Sequence, residues 1–324
     1  MSLRVRTVCD MTLSTPLRPA PPATRRRALL VYLGLAYAGM WAAMSPLLAT
    51  GFQRGNAREE PGTLEQACIA AAMFAPALAA ILVVRFVERD GTRVRDALAL
   101  RLPRPLTRAL LACLLPIGVL AALTAAVIAL GTLAGTYPLA GPDTLTAGGV
   151  AEWALQGLIG MLVSLPLFFG EELGWQGFLF PRLLRADGTA GLIRAYVLTG
   201  SAFALWHLPT LLMGGQYPGK PWYLAVPALT VSCILILPVF TWLRLRSGSV
   251  VPAVFAHAFA STLSVATLKE FADPDATLDP LTMGLAGWPG WAVTGAFVAF
   301  LSLTGRLRPT YYDKRNAPRP TTAL

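Results

Sequence analysis

Eight stretches of about 20 residues each, near 28–50, 64–87, 109–133, 151–180, 191–212, 222–243, 249–268 and 286–304, are predominantly apolar. A helix of that length, rising about 1.5 Å per residue, spans a bilayer core of about 30 Å. Hydrocarbon offers the backbone no partners, so a helix that closes its own hydrogen bonds is the expected form. The chain is therefore expected to be an all-α polytopic membrane protein with about eight transmembrane helices. A composition that is 55% hydrophobic and only 14% charged agrees. The first stretch follows Arg25, Arg26 and Arg27 and is too long for the core of a cleaved leader, so it reads as a retained anchor.

The net charge of +10 raises the question of an anionic partner such as nucleic acid. Its placement gives another answer. With the N-terminus in the cytoplasm, 23 of the 27 Lys and Arg residues fall in the two tails or in alternate connections: 85–108, the segment around Arg182 to Arg194, and Arg244 with Arg246. Only Arg54, Arg58, Lys220 and Lys269 fall on the opposite side. Cytoplasmic connections carry such an excess of Lys and Arg, so the charge reads as an orientation signal, with no nucleic-acid partner. This places a multi-pass protein in a plasma (inner) membrane, in contact with lipid and with both termini cytoplasmic.

Three regions follow: a basic tail over 1–24, a single transmembrane domain over 25–305, and a second basic tail over 306–324. The tails mix Pro, Arg and Thr with little apolar periodicity and are expected to be disordered. Cys9, Cys68, Cys113 and Cys233 have neither metal-ligand spacing nor pairing logic and read as small apolar side chains. Gly214 to Lys220, GGQYPGK, imitates a phosphate loop, but Pro221 takes the Ser/Thr position and the segment joins two spans, so it reads as a turn.

Within the fourth stretch lies FFGEELGWQGFLFPRLL, residues 168–184, with adjacent Glu171 and Glu172. A carboxylate at the centre of a membrane helix costs about 2.5 to 3.5 kcal/mol on insertion scales, so the pair needs partners. The two histidines of the chain, His207 and His257, also lie inside spans. Glu172 is 10 residues from Arg182, His207 is 13 from Arg194 and His257 is 11 from Arg246, which puts all three roughly 15–20 Å deep on separate helices. They can meet at one level. The same counting makes the fourth helix longer than a membrane span, so it is expected to tilt, bend or project.

Pairs at i, i+4 spacing support each member: Glu171 with Trp175, Glu172 with Gln176, Phe203 with His207, and His257 with Ser261. Adjacent Glu171 and Glu172 diverge by about 100°, so one can face a reaction centre while the other supports it. Gly170, Gly174 and Gly177 allow close approach of a neighbouring helix. Two carboxylates and two imidazoles in a partly wet apolar cavity suit peptide hydrolysis. Glutamate takes a proton from water and imidazole donates to an oxyanion. The same residues suit a zinc-like ion with a water in its open position. Proton-coupled transport would use the same residue types as a relay, and a membrane scaffold that has drifted from catalysis is a further alternative.

The three-part pattern resembles the type II CAAX prenyl endopeptidase family, also called the CPBP or Abi intramembrane proteases. Its motifs are Glu-Glu-x-x-x-Arg, Phe-x-x-x-His and His-x-x-x-Asn. Glu171 and Glu172 match the first, Phe203 and His207 the second, and His257 the third, over about residues 150–265. The resemblance implies a membrane fold with a catalytic core in helices 4 to 7, and endopeptidase cleavage of membrane-associated proteins or peptides near the cytoplasmic side. It implies Glu171 as the base that activates water and Glu172 as its helper. His207 and His257 would be oxyanion donors or, with Glu171, ligands of one divalent metal such as zinc; a glutamate mechanism would need no metal. Gln176 replaces the family arginine and removes a cation that could pair with the glutamates; Ser261 replaces asparagine and leaves a hydroxyl with shorter reach. The Ala- and Arg-rich composition resembles that of a GC-rich bacterial gene. Such cells generally lack prenylation, so the expected substrate is a small secreted or membrane peptide, or a signalling protein awaiting maturation.

Overall fold

The computed structural model describes residues 22–141, 146–184 and 188–307. The described residues form eight apolar helical rods. They are α1 (Pro22–Ala49), α2 (Thr63–Glu88), α3 (Leu106–Leu133), α4 (Ala147–Leu183), α5 (Gly188–Trp206), α6 (Trp222–Ser247), α7 (Val251–Glu270) and α8 (Trp288–Leu303). They correspond in order to the eight sequence segments. Six of them, α1 to α4, α6 and α7, are long and apolar enough to cross a membrane; α8 is apolar but shorter.

Many large apolar side chains point outward, among them Leu110, Leu111, Leu114, Leu162, Val163 and Phe300. In water so much exposed apolar surface would drive association; facing lipid tails it needs no cover. Inside, α1 packs along α2, and α5 against α6, while α7 lies among α3, α4 and α6, and α8 packs against α3 and α6. The mainly unbranched or small residues of the buried stripe on α1, Ala28, Tyr32, Ala36 and Met40, recur every four residues, as an amphipathic helix requires.

The connections gather on two faces: 50–62, 134–141, 213–221 and 271–287 are bonded to one another on one, and 89–105 and 248–250 on the other. The second is the face of the arginine-rich connections. Here Arg182 donates to both carboxylate oxygens of Glu88 at 2.6 Å through Nε and Nη2, and Arg25 donates to the carbonyls of Arg182 and Leu184.

Three rods depart from a uniform α-helix. α4 is π-helical over Leu173–Leu179, α7 over Phe259–Leu263, and α2 ends in a π turn over Val84–Glu88. The expected span 191–212 is broken: α5 ends at Trp206, and a short helix resumes at Leu208–Leu212. Pro209 is the physical reason, because it has no N–H to give the preceding turn and its ring displaces the carbonyl four residues back. The fourth rod is 37 residues long, as its overlength in the sequence required.

The close-approach reading of the glycines is met in α4. A Cβ at Gly170 would lie 2.6 Å from the Met73 carbonyl oxygen, and one at Gly174 would lie 2.4 Å from Cβ of Pro76. Gly214 and Gly219 take φ of +79° and +74°, so the phosphate-loop lookalike is a glycine-dependent turn. Cys68 and Cys233 are buried and unbridged. The expected disordered tails lie largely outside the described residues, with α1 beginning at Pro22.

Candidate active site

Glu171 and Glu172 close the α-helical part of α4, and the π segment begins at the next residue. Both are almost fully buried, at 3% and 1% exposure. Nδ1 of His257, on α7, lies 2.8 Å from Oε1 of Glu172. A carboxylate only accepts, so Nδ1–H is the donor, and the ring keeps Nε2 for another partner. Phe168, Phe203 and Phe240 pack around this imidazole with ring centroids 4.6, 5.6 and 5.7 Å away. The pairing carboxylate and the aromatic walls together fix the orientation of the ring.

His207 sits at the break after α5. Its Nδ1 lies 3.0 Å from the carbonyl oxygen of Phe203, so this nitrogen also carries the hydrogen and Nε2 again remains available. The Phe203 ring is 4.9 Å from the His207 ring, which makes one phenyl group the spacer between the two imidazoles. Residues of α4 and α7 and of the break after α5 therefore meet around Phe203.

The two glutamates differ in surroundings. Glu171 lines a cavity of about 500 Å³ together with Phe203, His207, His257 and Ser261, whereas Glu172 lies behind that wall. Oε2 of each glutamate is buried without a hydrogen-bond partner among the described residues. For Glu171 that orphaned oxygen belongs to the residue that reaches the cavity, where a water or a substrate group can satisfy it.

The supporting residues separate into two groups. Phe203 and Ser261 line the cavity, and Ser261 is exposed to it one turn beyond His257. Trp175 and Gln176 do not. Trp175 is fully buried and packs edge-on against Tyr32 and Trp206, and the Gln176 carbonyl accepts from Thr241 Oγ1 at 3.2 Å. Gln176 thus joins α4 to α6 behind the site. Both lie in the π segment that follows the glutamates, and Gln176, like Glu172, is buried behind the cavity wall.

The family metal was expected on Glu171, His207 and His257. Among the described residues, no group of three or more His, Cys, Asp or Glu side chains is arranged to hold a metal ion. His257 is engaged by Glu172, and Phe203 stands against both imidazoles, so the three residues share a cavity without converging as ligands. As they stand they do not fit a resident zinc.

Sequence reading also missed part of the wall. Met40, Met44 and Leu47 of α1 and Ile69, Ala72 and Met73 of α2 line the same cavity, which extends the site beyond helices 4 to 7. Their pattern is that of ordinary apolar packing and held no signal. Phe168 and Phe240 likewise looked like core residues. The cavity runs towards the connections 50–62, 213–221 and 271–287, where Arg54, Gln216 and Pro280 line it.

Residues 151–263, from the start of α4 to the π segment of α7, match the family described as Type II CAAX prenyl endopeptidase Rce1-like. No curated protein matches the chain.

Proposed function

We propose, from the premise that residues 151–263 belong to the type II CAAX prenyl endopeptidase (CPBP) family, that Glu171 is the general base of an intramembrane endopeptidase. The family match makes the protein CAAX-protease-like at the level of activity class. What supports the finer reading is one observation: of the two glutamates, only Glu171 lines the cavity, and it shares that wall with His207 and His257.

In this reading a water in the cavity gives its proton to Glu171 as its oxygen bonds to the scissile carbonyl carbon. The C=O pair moves onto oxygen. His257, held by Glu172, donates from Nε2 to that oxyanion in its imidazolium form, which the adjacent carboxylate stabilises. Ser261 Oγ–H is a second donor at the cavity wall. Neutral His207, with Nδ1–H committed to the Phe203 carbonyl, offers an Nε2 lone pair to orient the water. Collapse of the tetrahedral species breaks the C–N bond, and the proton on Glu171 passes to the leaving amine. Glu172 touches no reacting atom and acts as a positioning residue.

The substrate is a membrane-associated protein or peptide, and the enzyme is a multi-pass protein of a bacterial plasma membrane with both ends cytoplasmic. The test is cleavage of a library of membrane-anchored peptides by detergent-purified protein, with Glu171→Gln beside the wild type. Cleavage that survives Glu171→Gln contradicts the assignment.

A further inference from the structure

The direction of the cavity bears on which polypeptides can reach Glu171. It is lined by the halves of α1, α2, α6 and α7 that adjoin one face, and by the connections on that face. Among the described residues, none of 89–105 or 248–250 lines it. On that second side the site is sealed: Leu98, Trp175, Phe178 and Leu179 are at most 1% exposed, and the Arg182–Glu88 pair lies beyond them. The seal is bonded as well as packed, since Arg182 stacks on the Phe178 ring at 3.8 Å.

The open end has a different construction. Arg54 pairs with Glu65 and Lys269 with Glu60 at 3.0 Å, tying 50–62 to α2 and α7, and Lys220 pairs with Asp279 at 2.7 Å, tying 213–221 to 271–287. Arg54 and Lys269 themselves line the cavity. These are three of the four basic residues on this face, whereas the sealed face carries the arginine-rich connections. Basic connections remain in the cytoplasm, so the open end faces away from it.

We infer that the enzyme takes its substrate from the extracytoplasmic side: the segment that enters is an extended, mainly apolar stretch of an exported or membrane-anchored polypeptide. The class rests on the endopeptidase reading, and the direction rests on the cavity alone. An extended chain advances about 3.3 Å per residue, so several residues must thread past Met44 and Leu47 to reach Glu171. Apolar side chains fit that wall, which is formed largely by Met, Leu and Phe. A cytoplasmic prenylated C-terminus would meet the sealed face.

The test uses full-length protein with its four cysteines replaced by alanine, in sealed membrane vesicles of each sidedness. Single cysteines at Gln216→Cys, at the opening, and Thr92→Cys, on the arginine-rich face, report which face a membrane-impermeant thiol reagent reaches. Ile236→Cys, in the cavity wall, is the probe. It is expected to be labelled only in vesicles that label Gln216→Cys, with loss of labelling when a bulky adduct already occupies that position in a Gln216→Cys/Ile236→Cys protein. Labelling only in the preparation that labels Thr92→Cys overturns the route. In the same vesicles, a peptide fused to a single-span anchor is expected to be cleaved only when presented on the Gln216 face, and cleavage only on the Thr92 face also overturns it. Labelling from the Gln216 face with neither fusion cleaved counts against the endopeptidase reading and leaves the direction standing.

Discussion

Nδ1 of His257 lies 2.8 Å from Oε1 of Glu172, not of Glu171, and this pairing divides the two adjacent carboxylates by task. One orients an imidazole and the other faces the cavity. Loss of the orienting carboxylate is therefore expected to be milder than loss of the base. Glu172→Gln keeps the shape and one acceptor but removes the charge that stabilises the imidazolium. It should lower kcat by about 10–100-fold with little change in KM, on the scale of other supporting hydrogen bonds to functional histidines. Steady-state kinetics on purified protein read the split, and a rise in KM alone would speak for a binding role.

Ser261 stands one turn after His257, where the family has an amide. Ser261→Ala should lower kcat and Ser261→Asn should restore or raise it, within the roughly 100-fold range of a single oxyanion donor. An unchanged kcat in both variants would remove Ser261 from the mechanism.

Gly170 and Gly174 set α4 against α2. Alanine at Gly170 would press its Cβ into the Met73 carbonyl, a backbone atom that cannot step aside alone. Gly170→Ala should destabilise the fold by about 1–3 kcal/mol, the usual cost of overpacking, and lower the melting temperature in detergent. Gly160→Ala, with open space around it, should leave the melting temperature unchanged.

His207, His257 and Glu171 share a cavity without converging as ligands. Peptidase activity should therefore survive exhaustive chelation, and elemental analysis should find well under one zinc per chain. Roughly one tightly bound zinc, with activity lost on chelation and recovered on addition, would show that the three side chains rearrange around an ion.

Much of this arrangement could be read from the chain. The apolar segments became helices because a segment of that polarity has one stable form in hydrocarbon, and six of these helices are long and apolar enough to cross a membrane. Counting residues to the nearest arginine set Glu172, His207 and His257 at similar distances along their helices, and Glu172 and His257 are in contact. The π-helical character of Leu173–Leu179 and Phe259–Leu263 was not legible, because it depends on how the helices pack. The break at His207 was foreshadowed by Pro209. The contribution of α1 and α2 to the cavity was not, because Met40, Met44 and Ile69 have the spacing of any buried stripe. The direction of the opening depends on which halves of six helices splay apart, a tertiary property that no local pattern carries.

The most direct measurement is the turnover of a membrane-anchored peptide by wild-type, Glu171→Gln and Glu172→Gln proteins of equal abundance and melting temperature. The account predicts cleavage by the wild type, reduced cleavage by Glu172→Gln, and none by Glu171→Gln. Full loss in Glu172→Gln with activity retained in Glu171→Gln would contradict it, because the residue hidden behind the cavity wall would then be the base.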